Sequence, residues 1–408
     1  KLENGLTYYI RKNSKPEKKV ELRLAINIGS LHEREDQQGL AHFLEHMAFN
    51  GTTSFAKNEL DSYLRSIGVQ SGAHSNAYTN FNETVYQLSI PTQKAGLLDQ
   101  GLKILSEWAS GITLDPEEID KERGVVLEEL RIGLGASERL REQYYPKLFQ
   151  GSRYAERLPI GKKKVIENFK RQSLVDFYKD WYRPDLMGVI AVGDLDVAEA
   201  EKLIRNLFST IKPKRTKVPN RKNFDVPDHK ETFVSIATDK AATSTYAEVY
   251  VKREMPPEEF LRDLKNGITQ TFFNWMLNER LDEILEEPEP AFVEGYAGFS
   301  MLTRDKDSYL VYGDTKPGNV AETLKALLLE SKRAERFGFT ESELARQKKD
   351  YLVYLENAFR EREKTESATY VSSYVANFLR GMAIPGIEFE YEFGRKIVPA
   401  ITLEAVSY

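Results

Sequence analysis

No cysteine occurs anywhere in the chain, which excludes disulfides and thiolate metal sites and leaves imidazole and carboxylate as the metal-binding groups on offer. Histidine is scarce too, with 5 residues in 408. No apolar run approaches the roughly 18 residues that a membrane-spanning helix needs, so no membrane span is expected. Basic charge is not in surplus: the formal net charge is −5, which gives no electrostatic footprint for nucleic acid and no polybasic anchor. What is present, 41% hydrophobic and 30% charged residues, is the make-up of an ordinary soluble protein with about two domains. The chain opens at Lys1 and enters a strand-like pattern almost at once, which reads as a processed or trimmed start.

Against that scarcity of histidine, two of the five stand four residues apart in Gly39-Leu-Ala-His42-Phe-Leu-Glu45-His46-Met-Ala-Phe-Asn50. On a helix this spacing puts His42 and His46 one turn apart on the same face, with Glu45 beside them. Such a pair can bind Zn²⁺, which in catalytic sites takes three protein ligands and leaves a fourth position to water. The order His-x-x-Glu-His inverts the commoner zincin pattern and is the inverzincin signature. A third ligand must come from elsewhere, and with no cysteine a carboxylate is required.

Asp115-Pro116-Glu-Glu118 opens a long helix with a capping Asp, Pro at the first position and acids in the first turn. Glu122 and Glu129 share one face of it within about 20°, so either could supply the missing carboxylate. Between the two helices, Val69 to Ile90 begins small and polar and then alternates, as suits a strand at a sheet edge beside a cleft. An extended peptide could add to such an edge through main-chain hydrogen bonds; a polar hairpin without a ligand is the competing reading.

Elsewhere, Leu6 to Arg11 and Val20 to Ile28 read as the two strands of a hairpin, Lys57 to Ile67 as a helix and Met187 to Val192 as a buried strand. Lys212 to Pro227, basic and carrying Pro213, Pro219 and Pro227, reads as a linker between domains. Beyond it the pattern reads as a repeat: strands at Thr232 to Ile236, Ala247 to Val251, Ala291 to Met301 and Ser308 to Gly313, interleaved with long helices. The expectation is an α+β protein of two similar domains, each a mostly antiparallel sheet packed with helices. Residues 1–211 form the metal-binding domain, 212–227 the linker and 228–408 a second copy, which has only His229 and no metal site. That copy stops at Tyr408 before reaching a counterpart of the strand at Gly188 to Gly193, so more protein is expected beyond it.

Three segments, Gly39-Leu-Ala-His-Phe-Leu-Glu-His-Met-Ala-Phe-Asn-Gly-Thr52, Ser75-Asn-Ala-Tyr-Thr79 and Glu122-Arg-Gly-Val-Val-Leu-Glu-Glu129, resemble those of the pitrilysin-type, insulinase-like zinc metallopeptidases. The resemblance implies that His42, His46 and Glu129 hold Zn²⁺, that Glu45 is the general base, and that Glu122 is a supporting group. It also implies that Asn76 and Ala77 lie on the edge strand that holds the substrate backbone. In this family two halves, in one polypeptide or two, close as a clamshell around a peptide, so the implied function is a zinc endopeptidase acting on unstructured peptides or small polypeptides. A second homologous half is then the expected partner, and a periplasmic or otherwise exported location fits the family's habits. Two other readings of the same fold are a noncatalytic assembly subunit and a peptidase that removes targeting sequences with a partner chain.

Overall fold

The computed structural model describes residues 1–56, 59–133, 135–258 and 260–406; the expected helix start at Lys57 and the chain's last residue, Tyr408, fall outside that set. In chain order the first elements are β1 (Thr7–Lys12), β2 (Lys19–Ile26), α1 (Leu40–Phe49), α2 (Glu59–Ser66), β3 (Ser75–Thr79), β4 (Thr84–Pro91), α3 (Leu97–Ser110) and α4 (Pro116–Gly133). They continue with α5 (Ala136–Leu148), α6 (Lys163–Asn168), α7 (Arg171–Trp181), β5 (Met187–Gly193) and α8 (Val197–Phe208). After a stretch without helix or strand come β6 (Thr245–Glu254), α9 (Leu261–Leu285), β7 (Glu294–Thr303), β8 (Lys306–Thr315), α10 (Val320–Phe337) and α11 (Glu341–Arg360). The last are α12 (Ser367–Arg380), α13 (Ile387–Ile397) and α14 (Leu403–Val406). The segment Thr232 to Ile236, expected as a strand, is not one.

Two compact units result. The first comprises Lys1–Phe224, Phe233–Ala237 and Lys364–Ile384, and the second Asp225–Thr232, Thr238–Glu363 and Pro385–Tyr408. Together they form a mixed α+β fold with one sheet in each unit.

In the first unit the sheet order is β1-β5-β2-β4-β3, and the hairpin expected of β1 and β2 is absent. Instead β5 lies between them, parallel to β1 and antiparallel to β2. The cause is composition: β5 reads Met-Gly-Val-Ile-Ala-Val-Gly and is buried along its whole length, so a central position is where its apolar faces are removed from water. One face of the sheet packs on the core formed with α1, α3, α7 and α8, through Leu22, Leu24, Tyr86, Leu88, Trp108 and Phe177. The opposite face is covered by α12, where Val371 and Leu379 meet Ala25, Val85, Ile190 and Val192. At Gly188 a β-carbon would lie 2.7 Å from the Phe378 ring, so the glycine lets this helix seat closely. Tyr9 stacks on Tyr374 and donates to Asn377 Oδ1 at 2.6 Å. Residues 212–224 hold to the same unit, with Arg183 donating to Pro219 O and Arg221 to Asn27 O.

The second unit has a three-stranded antiparallel sheet, β6-β8-β7, with α9 and α10 packed on it around Phe272, Leu277, Phe292, Val311 and Leu327. Asn274 and Asn278, one turn apart on α9, each bond both the N–H and the C=O of a β7 residue, Phe299 and Ala297 respectively. These side chains occupy backbone groups that an edge strand would otherwise present for pairing.

Candidate metal centre

Helix α1 begins at Gly39, which has φ 101°, a left-handed conformation that costs glycine little. A β-carbon there would sit 2.7 Å from Ile166 Cδ1, and one on Gly161 would sit 2.3 Å from Gly39 Cα. Two glycine backbones therefore press together at the helix start. The Glu33 carboxylate accepts from the N–H groups of Gly39 at 2.9 Å and Ala41 at 2.8 Å, which satisfies two donors that a helix start leaves open. Leu40, Ala41, Phe43, Leu44, Met47 and Ala48 are buried in the core, which fixes the rotation of the helix. Gly161→Ala should cost about 1–3 kcal/mol, since φ there is +80° and the contact is backbone on backbone. Urea denaturation that gave the parent's midpoint would refute this.

The three candidate ligands meet in space. His42 Nε2 and His46 Nε2 are 3.2 Å apart, and Glu129 Oε1 and Oε2 lie 3.6 Å and 3.3 Å from them respectively. Among the described residues this is the single group of three or more metal-ligating side chains whose donor atoms cluster, all within 4.8 Å. A zinc ion fits it on chemistry and on dimensions. The two Nε2 atoms are too close for both to carry protons, and a carboxylate faces them, so with both rings protonated at Nδ1 three lone-pair donors would point at one place. Donors about 2.0–2.2 Å from a tetrahedral ion are about 3.3–3.5 Å from one another, close to the spacing seen here. Glu129 is half exposed, on the same open stretch of α4 as Val125 and Ile132.

Glu122, one face-repeat before Glu129 on α4, does not join the cluster. Its Oε1 accepts from His46 Nδ1 at 2.8 Å, and its Oε2 accepts from Asn50 Nδ2 at 2.6 Å. Burial opposes a proton on His46, but the Glu122 bond and the charges of Glu122, Glu45 and Glu129 outweigh it and push its pKa up. Burial, with His46 alongside, depresses His42 to about 3, so its ring is neutral at ordinary pH and able to offer a lone pair.

Glu45 is buried beside the pair, and Thr79 Oγ1 donates to its Oε2 at 2.6 Å. Burial raises its carboxyl to about 7; the charge of Glu129 adds to this, while Thr79 and His46 oppose it. Replacing Thr79 by the near-isosteric valine strips a buried acid of a donor, which should cost about 1–3 kcal/mol. In a Glu45→Ala background the same change should cost little. Equal costs by chemical denaturation in both backgrounds would show that the bond is not what stabilises this corner.

Asn76 and Ala77 lie on β3, the edge strand beyond β4, and α1 packs against it. The Ala77 N–H is taken by Asn76 Oδ1 at 2.9 Å, while Ser75, Ala77 and Thr79 face inward and Asn76 and Tyr78 outward. Three contributors were not singled out from sequence: Glu33, Thr79 and Asn50. Thr79 had a signal, standing two residues after Ala77 and so on the same face of an edge strand. Glu33 and Asn50 act through side-chain bonds that no periodicity marks.

With this geometry in hand, two comparisons give the family. Residues 8–156 match the model of insulinase (peptidase family M16), and residues 168–351 match that of the peptidase M16 inactive domain. Over its whole length the chain is 32% identical to a zinc protease PQQL-like protein of Arabidopsis thaliana, of which it covers 40%. It is 30% identical over 408 residues to a probable zinc protease PqqL of Haemophilus influenzae, of which it covers 43%. The chain thus spans about two fifths of the length of these curated relatives. Its fold superposes with a TM-score of 0.89 on the crystal structure of the first half of the periplasmic protease PqqL from Escherichia coli, at 29% identity, covering 100% of this chain and 87% of that one. No helix among the described residues is long and apolar enough to cross a membrane. In sequence as in architecture, the chain belongs to the insulinase family of peptidases, family M16.

Proposed function

We propose that this chain is the metal-bearing half of a zinc endopeptidase that hydrolyses unstructured peptides or small polypeptides. The observation that carries the reading is the convergence of His42 Nε2, His46 Nε2 and the Glu129 carboxylate at separations of 3.2–3.6 Å, which suits one Zn²⁺. Bound there, zinc would supply Lewis acidity toward a scissile carbonyl and a water. Glu45 takes the proton of the attacking water as its oxygen adds to the carbonyl carbon, and gives it to the leaving amine as the C–N bond breaks. In the metal-free chain burial holds this carboxyl near 7, so it gains and loses a proton about neutral pH. Thr79 holds Oε2 and leaves Oε1 for the proton. Glu122 fixes His46 in the tautomer whose Nε2 bears the lone pair.

Asn76 and Ala77 belong to the edge along which a peptide backbone would pair, largely without regard to its side chains. For that pairing the Ala77 N–H must exchange Asn76 Oδ1 for the substrate. The substrate is enclosed by a second homologous half, from the same polypeptide or a separate chain, and the setting is periplasmic or otherwise exported. The relatives' greater length and the periplasmic neighbour support these two points. A noncatalytic assembly subunit is disfavoured because such a subunit has no need of a complete ligand set and a buried acid beside it.

The test is zinc content by atomic absorption together with digestion of an unstructured peptide library, on this chain alone and with a second half supplied. One zinc per chain and cleavage by the assembled pair are expected. A chain that takes up no zinc from a chelator-buffered solution would end the proposal.

A further inference from the structure

We infer that Asn50 is a positioning residue of the metal centre: its side-chain amide clamps the Glu122 carboxylate and thereby holds His46 in the Nδ1–H tautomer. The inference rests on the zinc reading above for its purpose, but its geometry stands independently.

Asn50 is the residue that ends α1, and asparagine at a helix end commonly serves a left-handed turn. Here it does not. Its backbone sits at φ −90°, ψ 0°, which other residues adopt freely, and the positive φ falls on Gly51, at 141°. The backbone therefore gives no reason for asparagine at this place, and the side chain does. Nδ2 donates to Glu122 Oε2 at 2.6 Å and reaches back to His46 O at 3.4 Å. A carboxylate only accepts, so the nitrogen end of the amide must face it.

The consequence lies on the other oxygen. With Oε2 held by Asn50 on α1, Glu122 on α4 keeps Oε1 at 2.8 Å from His46 Nδ1. A carboxylate anchored at both oxygens cannot rotate away from the imidazole. Because Oε1 accepts, Nδ1 carries the proton and Nε2 is left as a lone pair, 3.2 Å from His42 Nε2. The amide also ties the end of α1 to α4, the two helices whose ligands must meet. The Asn50 side chain bonds Glu122 Oε2 and the His46 carbonyl rather than any of the three ligand groups, so it acts through Glu122 and His46.

The test uses the chain with ¹⁵N-labelled histidine and measures zinc affinity by competition with a chromophoric chelator. In the metal-free parent, at a pH high enough to keep the His46 ring neutral, long-range ¹H–¹⁵N spectra should show it in a single Nδ1–H tautomer. Asn50→Ala should give a tautomer mixture and weaken zinc about tenfold, at the lower end of the roughly 10–100-fold seen for groups that support a ligand. In a Glu122→Gln background the same change should alter affinity less than twofold. Unchanged tautomer and affinity in Asn50→Ala, or an equal loss in both backgrounds, would overturn the inference. Should the alanine variant fold poorly, Asn50→Asp keeps the size and sets a second carboxylate against Glu122; it should lose more than tenfold, and parent-like affinity would equally overturn the assignment. A parent chain that takes up no zinc defeats the peptidase reading, whereas the metal-free tautomer comparison still decides the role of Asn50.

Discussion

Glu45→Gln should leave zinc uptake unchanged and lower kcat by about 10²–10⁴-fold, toward the upper end because one carboxylate serves both proton transfers. The amide is nearly isosteric and its carbonyl can still accept from Thr79 Oγ1, which now donates to Glu45 Oε2 at 2.6 Å, but it cannot take a proton. A variant that cleaves peptides at the parent rate, with the second half supplied, would remove Glu45 from the mechanism. The same substitution has a stability signature in the presence of a chelator. The folded-state pKa of about 7 lies above the ordinary 4.5, so the folded parent binds more protons than the unfolded chain between those values. Its stability therefore falls as pH rises through that window. Glutamine has no such penalty, so Glu45→Gln should be the more stable protein above pH 7, by an amount of the order of 3 kcal/mol. The advantage should shrink to about 1 kcal/mol at pH 5 and vanish below the ordinary pKa, and denaturation at pH 5 and pH 8 measures the difference.

Glu129→Ala should have the largest effect on the metal, weakening zinc by well over the roughly 100-fold expected for a supporting group. His42 and His46 remain in place on α1, but two imidazoles alone leave the ion without its third protein donor. The loss can be read on this chain as it stands. Zinc at 1,000 times its Kd stabilises a folded protein by about 4.1 kcal/mol. A variant with a 1,000-fold weaker site at the same zinc concentration would gain only about 0.4 kcal/mol by the same relation. The zinc-dependent rise in Tm should therefore nearly disappear, while the Tm in chelator stays close to the parent's, because Glu129 is half exposed and packs little. Glu122→Ala should weaken zinc less, and a reversal of that order would exchange the two acids' roles.

The two carboxylates illustrate how far sequence reasoning reaches. Their seven-residue spacing places both on one face of α4, and on that ground alone either could be the ligand. Family resemblance favours Glu129, but the physical distinction is three-dimensional. A face-repeat is two helical turns, about 10 Å along the axis, so only one acid can lie level with the histidine pair. The packing of α4 against α1 puts Glu129 level with Nε2 of both rings and Glu122 level with the back of His46. Asn50 and Thr79 were legible as residues and illegible as contacts, for the same reason.

The sheet makes the matching point. The apolar run at Met187–Gly193 was readable as a buried strand, yet two adjacent strands at the start of the chain read as a hairpin until β5 was found between them. Its burial on both faces needs a cover on each, and one cover is α12, some 180 residues later in the chain. No local pattern announces a helix that returns to an earlier unit, since its amphipathic stripe specifies that it buries a face and not which face it meets.

By itself, then, the sequence determined what repeats within a turn or a strand. The His42, Glu45 and His46 set shares one helical face, α4 begins at Asp115-Pro116, and β5 is buried, because these depend on angles of 100° or 180° between neighbouring residues. Tertiary structure alone decided which acid meets the histidines, which strand parts β1 from β2, and which side chains brace the ligands. Those outcomes depend on how separate apolar faces close over one another, and residues far apart in the chain carry no mark of their distance in space.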